Sequence, residues 1–128
     1  MFMKYTLLQI KDAEMGKDIF ECETEADCIK NKYDINKVDQ WGRNALFHSD
    51  LEKSKWLVKH GINFNLLDND LMNVLMNIPS NHIDKAQFLI DIGIDLKIFK
   101  NNPDKLNNMR SKPVKNLVLN YLNECIKL

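Results

Sequence analysis

Two stretches of the chain, Lys53–Asn63 and Lys85–Asp95, carry the same order of polar and apolar positions. Each opens on a lysine, brings a large aromatic three residues later (Trp56, Phe88), follows it with leucine (Leu57, Leu89) and then reaches a glycine (Gly61, Gly93). An apolar cluster ended by glycine predicts a helix with a left-handed residue at its C-terminus. Farther along, Val114, Leu117, Val118, Tyr121, Leu122, Cys125 and Ile126 recur at three- and four-residue spacing, which predicts a long amphipathic helix. Ser111 precedes it as an N-cap, and Pro113 suits its first turn, where a missing N–H costs nothing.

The likeness extends upstream of the paired helices. Asp39-Gln40-Trp41-Gly42-Arg43-Asn44-Ala45-Leu46-Phe47 lies over Asp68-Asn69-Asp70-Leu71-Met72-Asn73-Val74-Leu75-Met76, with Asp, Asn and Leu coinciding. Asp39 and Asp68 are 29 residues apart and Gly61 and Gly93 are 32 apart, so the second unit carries three extra residues, placed around Ile78-Pro79-Ser80-Asn81. A partial earlier copy, Cys28–Asn36, lies over Leu57–Asn65 with Lys32 in the glycine position. Self-similarity of this kind predicts stacked units, because one unit cannot bury its own apolar face. Near the start Tyr5, Leu7 and Gln9 alternate like a strand while Leu7, Leu8 and Ile10 suit a helix. A capping helix is expected there, since the end of a stack must be covered.

These residues resemble the ankyrin repeat: Asp39, the turn glycine Gly42, Leu46, Leu57, Gly61, Asn63 and Asn65 match its pattern, over residues 28–98. The resemblance implies an all-α fold, a short solenoid of about three helix-turn-helix units with caps at both ends. The expected division of the single domain 1–128 is an N-terminal capping unit (1–38), repeats at 39–67 and 68–99, and a C-terminal capping unit (100–128). The family's Thr-Pro-Leu-His becomes Asn44-Ala45-Leu46-Phe47, so its hydrogen-bonding histidine is lost and neighbouring His48 does not inherit that role. The turn glycine of the second unit becomes Leu71, whose Cβ disfavours positive φ, so that turn must differ or be strained. Ser49 and Asp50 arrive early and leave the first unit's inner helix barely two turns.

Eighteen basic residues balance eighteen acidic ones, which removes the broad positive field used to hold nucleic acid. With 45% hydrophobic and 28% charged residues, the 128-residue chain has the balance of a folded soluble domain, and nothing in it approaches the length of a membrane span. Its first residues do not read as a secretory signal. The odd set Cys22, Cys28 and Cys125, without C-x-x-C spacing, reads as reduced thiols, with Cys28 and Cys125 on apolar helical faces. A cytoplasmic protein, monomeric when free, is the expectation.

Chemistry is sparse. His48, His60 and His82 fall in different parts of the repeat and are not expected to converge into a metal or acid–base site. His60 suits the negative end of a helix beside Gly61. The acidic run Glu21, Glu23, Glu25 and Asp27 reads as a solvated helix start, or as a face for a basic partner. No phosphate loop or metal motif occurs, so no catalytic residue, cofactor or metal is expected.

Trp56 and Phe88 read as inter-unit packing, whereas Trp41 lies in a turn that the ankyrin resemblance places at a partner-facing position. It is either an exposed interface anchor or a ring folded back on a neighbouring turn. The surface expected around it comprises Gln40, Trp41, Arg43, Phe47, His48 and Asp50 from the first unit and Asn69, Asp70, Met72, Met76 and Asn77 from the second. The fold supports many functions, so a more specific reading rests on resemblance. Short repeats with Gly-Arg-Asn-Ala-Leu-Phe are similar to small bacterial ankyrin proteins found among immunity proteins, which bind and neutralise a cognate toxin domain. An adaptor or scaffold for another cellular or host protein is the alternative, and a small-ligand binder or enzyme the third.

Overall fold

A computed structural model describes residues 18–127, and every regular element among them is helical. The capping helix expected near the N-terminus lies outside the described residues, as does the side chain of Cys125. No helix among the described residues is long and apolar enough to cross a membrane.

The first three helices share their features in pairs, the first and second at the start and the second and third at the end. In α1 (Glu25–Asn31) the Thr24 hydroxyl accepts the Asp27 N–H, and in α2 (Leu51–Lys59) the Asp50 carboxylate accepts the Lys53 N–H at 2.9 Å. These caps occupy amide donors that the first helical turn leaves without partners. α2 and α3 (Ile83–Asp91) end alike: Gly61 and Gly93 take φ of 90° and 96°, while Ile62 and Ile94 donate back to Leu57 O and Leu89 O at 3.1 and 3.0 Å. Lys32 holds the same place after α1 with φ 52°, so that helix ends in the left-handed region without a glycine.

The segment before each of the two longer helices departs from expectation. Ala45–His48 and Val74–Asn77 are single 3-10 turns rather than inner helices. Asn44 Oδ1 accepts the Leu46 N–H and Asn73 Oδ1 the Met76 N–H, which starts each turn. Ser49 ends the first by returning its hydroxyl to Leu46 O and meeting Ser54 Oγ at 2.7 Å. The second runs into Pro79 and an additional 3-10 turn, Ser80–His82, which is where the three extra residues go. The described chain opens on a further turn at Asp18, whose Oδ1 accepts the Phe20 N–H.

Leu46, Leu57, Leu75 and Leu89 are fully buried along the row of units, and each such side chain removed from water contributes about 2 kcal/mol. α2 packs on α3, α3 packs on α6 (Lys112–Lys127), and the two 3-10 turns pack on each other. Trp56 and Phe88 are half-buried against this core. Cys22 and Cys28 are free and buried. Between α3 and α6 the chain forms α4 (Lys97–Asn101) and α5 (Pro103–Asn107), broken at Asn102 because proline disfavours helical backbone in the residue before it.

Polar links repeat across the seams. Lys53 Nζ reaches back to Ile19 O and Phe20 O at 2.7 and 3.1 Å, and Lys85 Nζ to Leu46 O and Ser49 O at 2.6 and 2.7 Å. Each lysine thus places its charge on carbonyls at the end of the preceding short turn, where the peptide dipoles are negative. At the next seam Arg110 takes over, with its N–H on Met76 O and Nη1 on Asn77 O. On the opposite edge Asn36 Oδ1 accepts the Asn63 N–H at 2.8 Å and Asn65 Oδ1 the Asp95 N–H at 2.7 Å. Burial pushes the Lys85 ammonium down to about 8, with nearby Asp50 opposing the shift.

Candidate protein-binding surface

Two Asp-headed turns, Asp39–Arg43 and Asp68–Met72, present the most exposed apolar side chains near the predicted surface. They share a hydrogen-bond pattern residue for residue. Asp39 Oδ1 accepts the N–H groups of Trp41 and Arg43, and Asp68 Oδ1 those of Asp70 and Met72. Asp39 and Asp68 also donate their own N–H to Arg43 O and Met72 O, each at 2.9 Å.

The two turns are tied to one another. Asn69 donates its backbone N–H to Trp41 O at 2.9 Å and its side-chain amide to Gln40 O at 3.2 Å. Arg43 Nε donates to Asp68 Oδ2 at 2.9 Å, and His48 Nε2 lies 2.9 Å from Asp39 Oδ2. Burial would raise both aspartates, but for Asp39 the His48 contact and the Arg43 and Trp41 amides outweigh it. For Asp68 the Met72 amide, the Arg43 side chain and the Asp70 amide do so, and both carboxyls sit below their ordinary range.

The predicted residues separate into three groups. Gln40, Trp41, Asn69 and Asp70 come together at the exposed tips, with Trp41 55% exposed, so the ring does not fold back on its neighbours. Phe47, His48 and Asn77 meet in a cleft of about 190 Å³ between the two 3-10 turns, shared with His82, Lys85 and Arg110. Arg43, Asp50 and Met72 hold structure: Arg43 braces Asp68 and covers the Phe47 ring at 5.8 Å, Asp50 caps α2, and half-buried Met72 packs on the core.

Met76 is a correction. It is 1% exposed and belongs to the core, because the chain after α5 folds over it and Arg110 donates its N–H to Met76 O. Conversely, sequence reasoning missed Val38, Leu67 and Leu71. Among the described residues seven large apolar side chains are exposed, and four of them, Val38, Trp41, Leu67 and Leu71, lie in or beside the two Asp-headed turns. The signal was available: Val38 and Leu67 immediately precede Asp39 and Asp68, so an apolar residue recurs at one register outside the predicted core.

His60 stands apart from His48 and His82, which line the same cleft between the 3-10 turns. His48 pairs with Asp39 and lies edge-on to Phe20 at 5.8 Å, while His60 lies 2.8 Å from Glu25 Oε2. That contact, together with Lys59, draws the Glu25 carboxyl below its ordinary range, so part of the acidic run is engaged across a seam. Among the described residues no three His, Cys, Asp or Glu side chains are grouped to hold a metal. No family model matches the chain, and no curated protein is significantly similar to it.

Proposed function

We propose that the chain is a degenerate ankyrin-repeat protein that binds another protein through the exposed face of its first Asp-headed turn, where Val38 and Trp41 stand. Trp41 carries the reading. Its indole is 55% exposed on a turn pinned from one side by Asp39 and from the other by Asn69. A large aromatic held on a rigid backbone gives contact area with little ordering on association, the property of an interface anchor. The ankyrin assignment is supported by the recurrence of the Asp-turn, glycine-cap and asparagine-link hydrogen bonds in successive units.

The partner we favour is a toxin domain, with this chain as its cytoplasmic immunity protein. That reading rests on the Gly42-Arg43-Asn44-Ala45-Leu46-Phe47 resemblance, and an adaptor role would use the same surface. Binding is favoured over catalysis because His48 and His60 are each engaged by a single carboxylate in separate places.

The test is affinity capture from the native host by the full chain, comparing wild type with Trp41→Ser combined with Val38→Ser. These side chains are exposed, so the variant should keep its Tm. One protein retained by the wild type and lost by the variant is the expected result. Protection of cells when a captured toxin domain is co-expressed would specify the immunity role. Identical capture by both forms would remove the proposed surface.

A further inference from the structure

Where the first Asp-headed turn is covered by the second, the second is covered by no third turn. A Cβ on Gly42 would stand 2.4 Å from Asn69 Oδ1, so the neighbouring turn lies directly on that glycine. Beyond Asp68–Met72 the chain instead enters α4 and α5, and between them and the turn lies a cleft of about 450 Å³. Leu67, Leu71 and Ile98 supply its apolar lining, and Lys97 and Lys105 its basic rim.

Leu71 is the unusual element. Its φ is 60°, a region that costs an L-residue with a Cβ about 1–2 kcal/mol, and its side chain is 60% exposed. Core packing does not offset that strain, since most of the side chain faces solvent. A strained backbone carrying an exposed apolar side chain is the pattern expected where a contact outside the fold justifies it. Lys105 Nζ donates to Leu71 O, which anchors the strained residue to α5 and sets a positive charge beside it.

Charge identifies the occupant. From Leu96 to Asn123 there are six basic residues and one acidic, whereas from Asp18 to Asp39 there are seven acidic and three basic. Every ion pair among the described residues lies between Asp18 and Asp68, so none neutralises the basic end. The carboxylate lining the cleft, Asp95, has Oδ1 engaged by the Lys97 N–H. We propose that this cleft is a second docking site, and that it takes a protein segment in which an apolar side chain enters against Leu67 and Leu71 while flanking carboxylates meet Lys97 and Lys105. The inference rests on the protein-binding reading and adds the chemistry of the partner.

Random peptides displayed on phage, selected on the full chain, test it. Enriched sequences should join Leu, Ile, Phe or Met to Asp or Glu, and their affinity should fall about tenfold or more with Leu71→Asn and with Lys105→Glu. Asparagine tolerates the left-handed region, so Leu71→Asn should bind less while keeping or raising Tm, an opposition that simple misfolding does not produce. Trp41→Ser should leave peptide binding unchanged. No enrichment, enrichment without acidic residues, or equal binding by both cleft variants would overturn the site. Binding of a fluorescent oligothymidylate that Lys105→Glu abolishes would overturn it in favour of nucleic acid. In the host capture experiment, a partner lost with the Trp41 variant but held fully by Leu71→Asn would remove this cleft and leave the first surface intact. Capture indifferent to all variants would remove both.

Discussion

The first and second Asp-headed turns adopt one backbone course with different residues at the position that demands positive φ. Gly42 has φ 76° and Leu71 φ 60°, and in both turns the aspartate three residues earlier gathers two amides on a single oxygen. The aspartate, rather than the glycine, therefore sets the turn. Glycine is needed at the first turn because Asn69 of the second lies against it, and that constraint is relaxed at the second, where the corresponding side chain opens onto a cleft. A residue shared between repeats can thus be required by its neighbour in one copy and free to change in the other.

Exchanging the residues breaks the comparison most forcefully. Gly42→Leu adds left-handed strain and drives a Cβ into Asn69, so it should cost roughly 3 kcal/mol or more in urea unfolding. A loss under about 1 kcal/mol would mean the turns do not stack as described. Next comes removal of the organising carboxylates. Asp68 is buried and accepts from Asp70, Met72 and Arg43, so Asp68→Ala should cost roughly 3 kcal/mol, against roughly 2 kcal/mol for the more accessible Asp39→Ala. Both carboxyls are depressed below their ordinary 3.8. Their contribution is complete above that value and fades as pH falls through the folded-state value, so Asp68→Asn should flatten the acid limb of a stability–pH curve.

The seam under these turns gives a smaller effect with a distinct signature. Lys85→Met should cost about 2 kcal/mol at neutral pH, because Leu46 O and Ser49 O lose their buried donor. Lys85 is held at about 8, below its ordinary 10.5, so across that window the unfolded chain binds the extra proton and wild-type stability should rise with pH. The methionine variant should lack that rise, and a wild-type curve flat across the window would contradict it. Smallest of all, Leu71→Gly should change stability by less than about 1 kcal/mol, relief of strain being offset by the added freedom of the unfolded chain. Calorimetry on the pair Gly42→Leu and Leu71→Gly would express the asymmetry directly.

Much of this framework could be read from residues alone. The helix ends at Gly61 and Gly93, the strained turn at Leu71 and the insertion around Pro79 all follow from local rules, and each lies where the alignment of the two units puts it. The inner segments were misjudged, because an apolar run such as Val74-Leu75-Met76 does not reveal whether it completes a helix or stops after one 3-10 turn. Met76 followed from that error, since its burial depends on Arg110, far along the chain. Lys53 and Lys85 share one register, yet the carbonyls they reach belong to other units and cannot be seen in a linear pattern. Pro103 could have signalled the break between α4 and α5.

The lysine links have a consequence for how such a chain can vary. Their acceptors are main-chain carbonyls, which every residue possesses, so this link between one unit and the next asks for a single cation and makes no demand on the identity of the acceptor's side chain. Substitutions in the short turns can then accumulate without uncoupling the stack, provided volume is kept. Units could be duplicated, exchanged or rewritten at their tips as interchangeable parts, with the coupling carried by chemistry that mutation of the acceptor residue cannot erase.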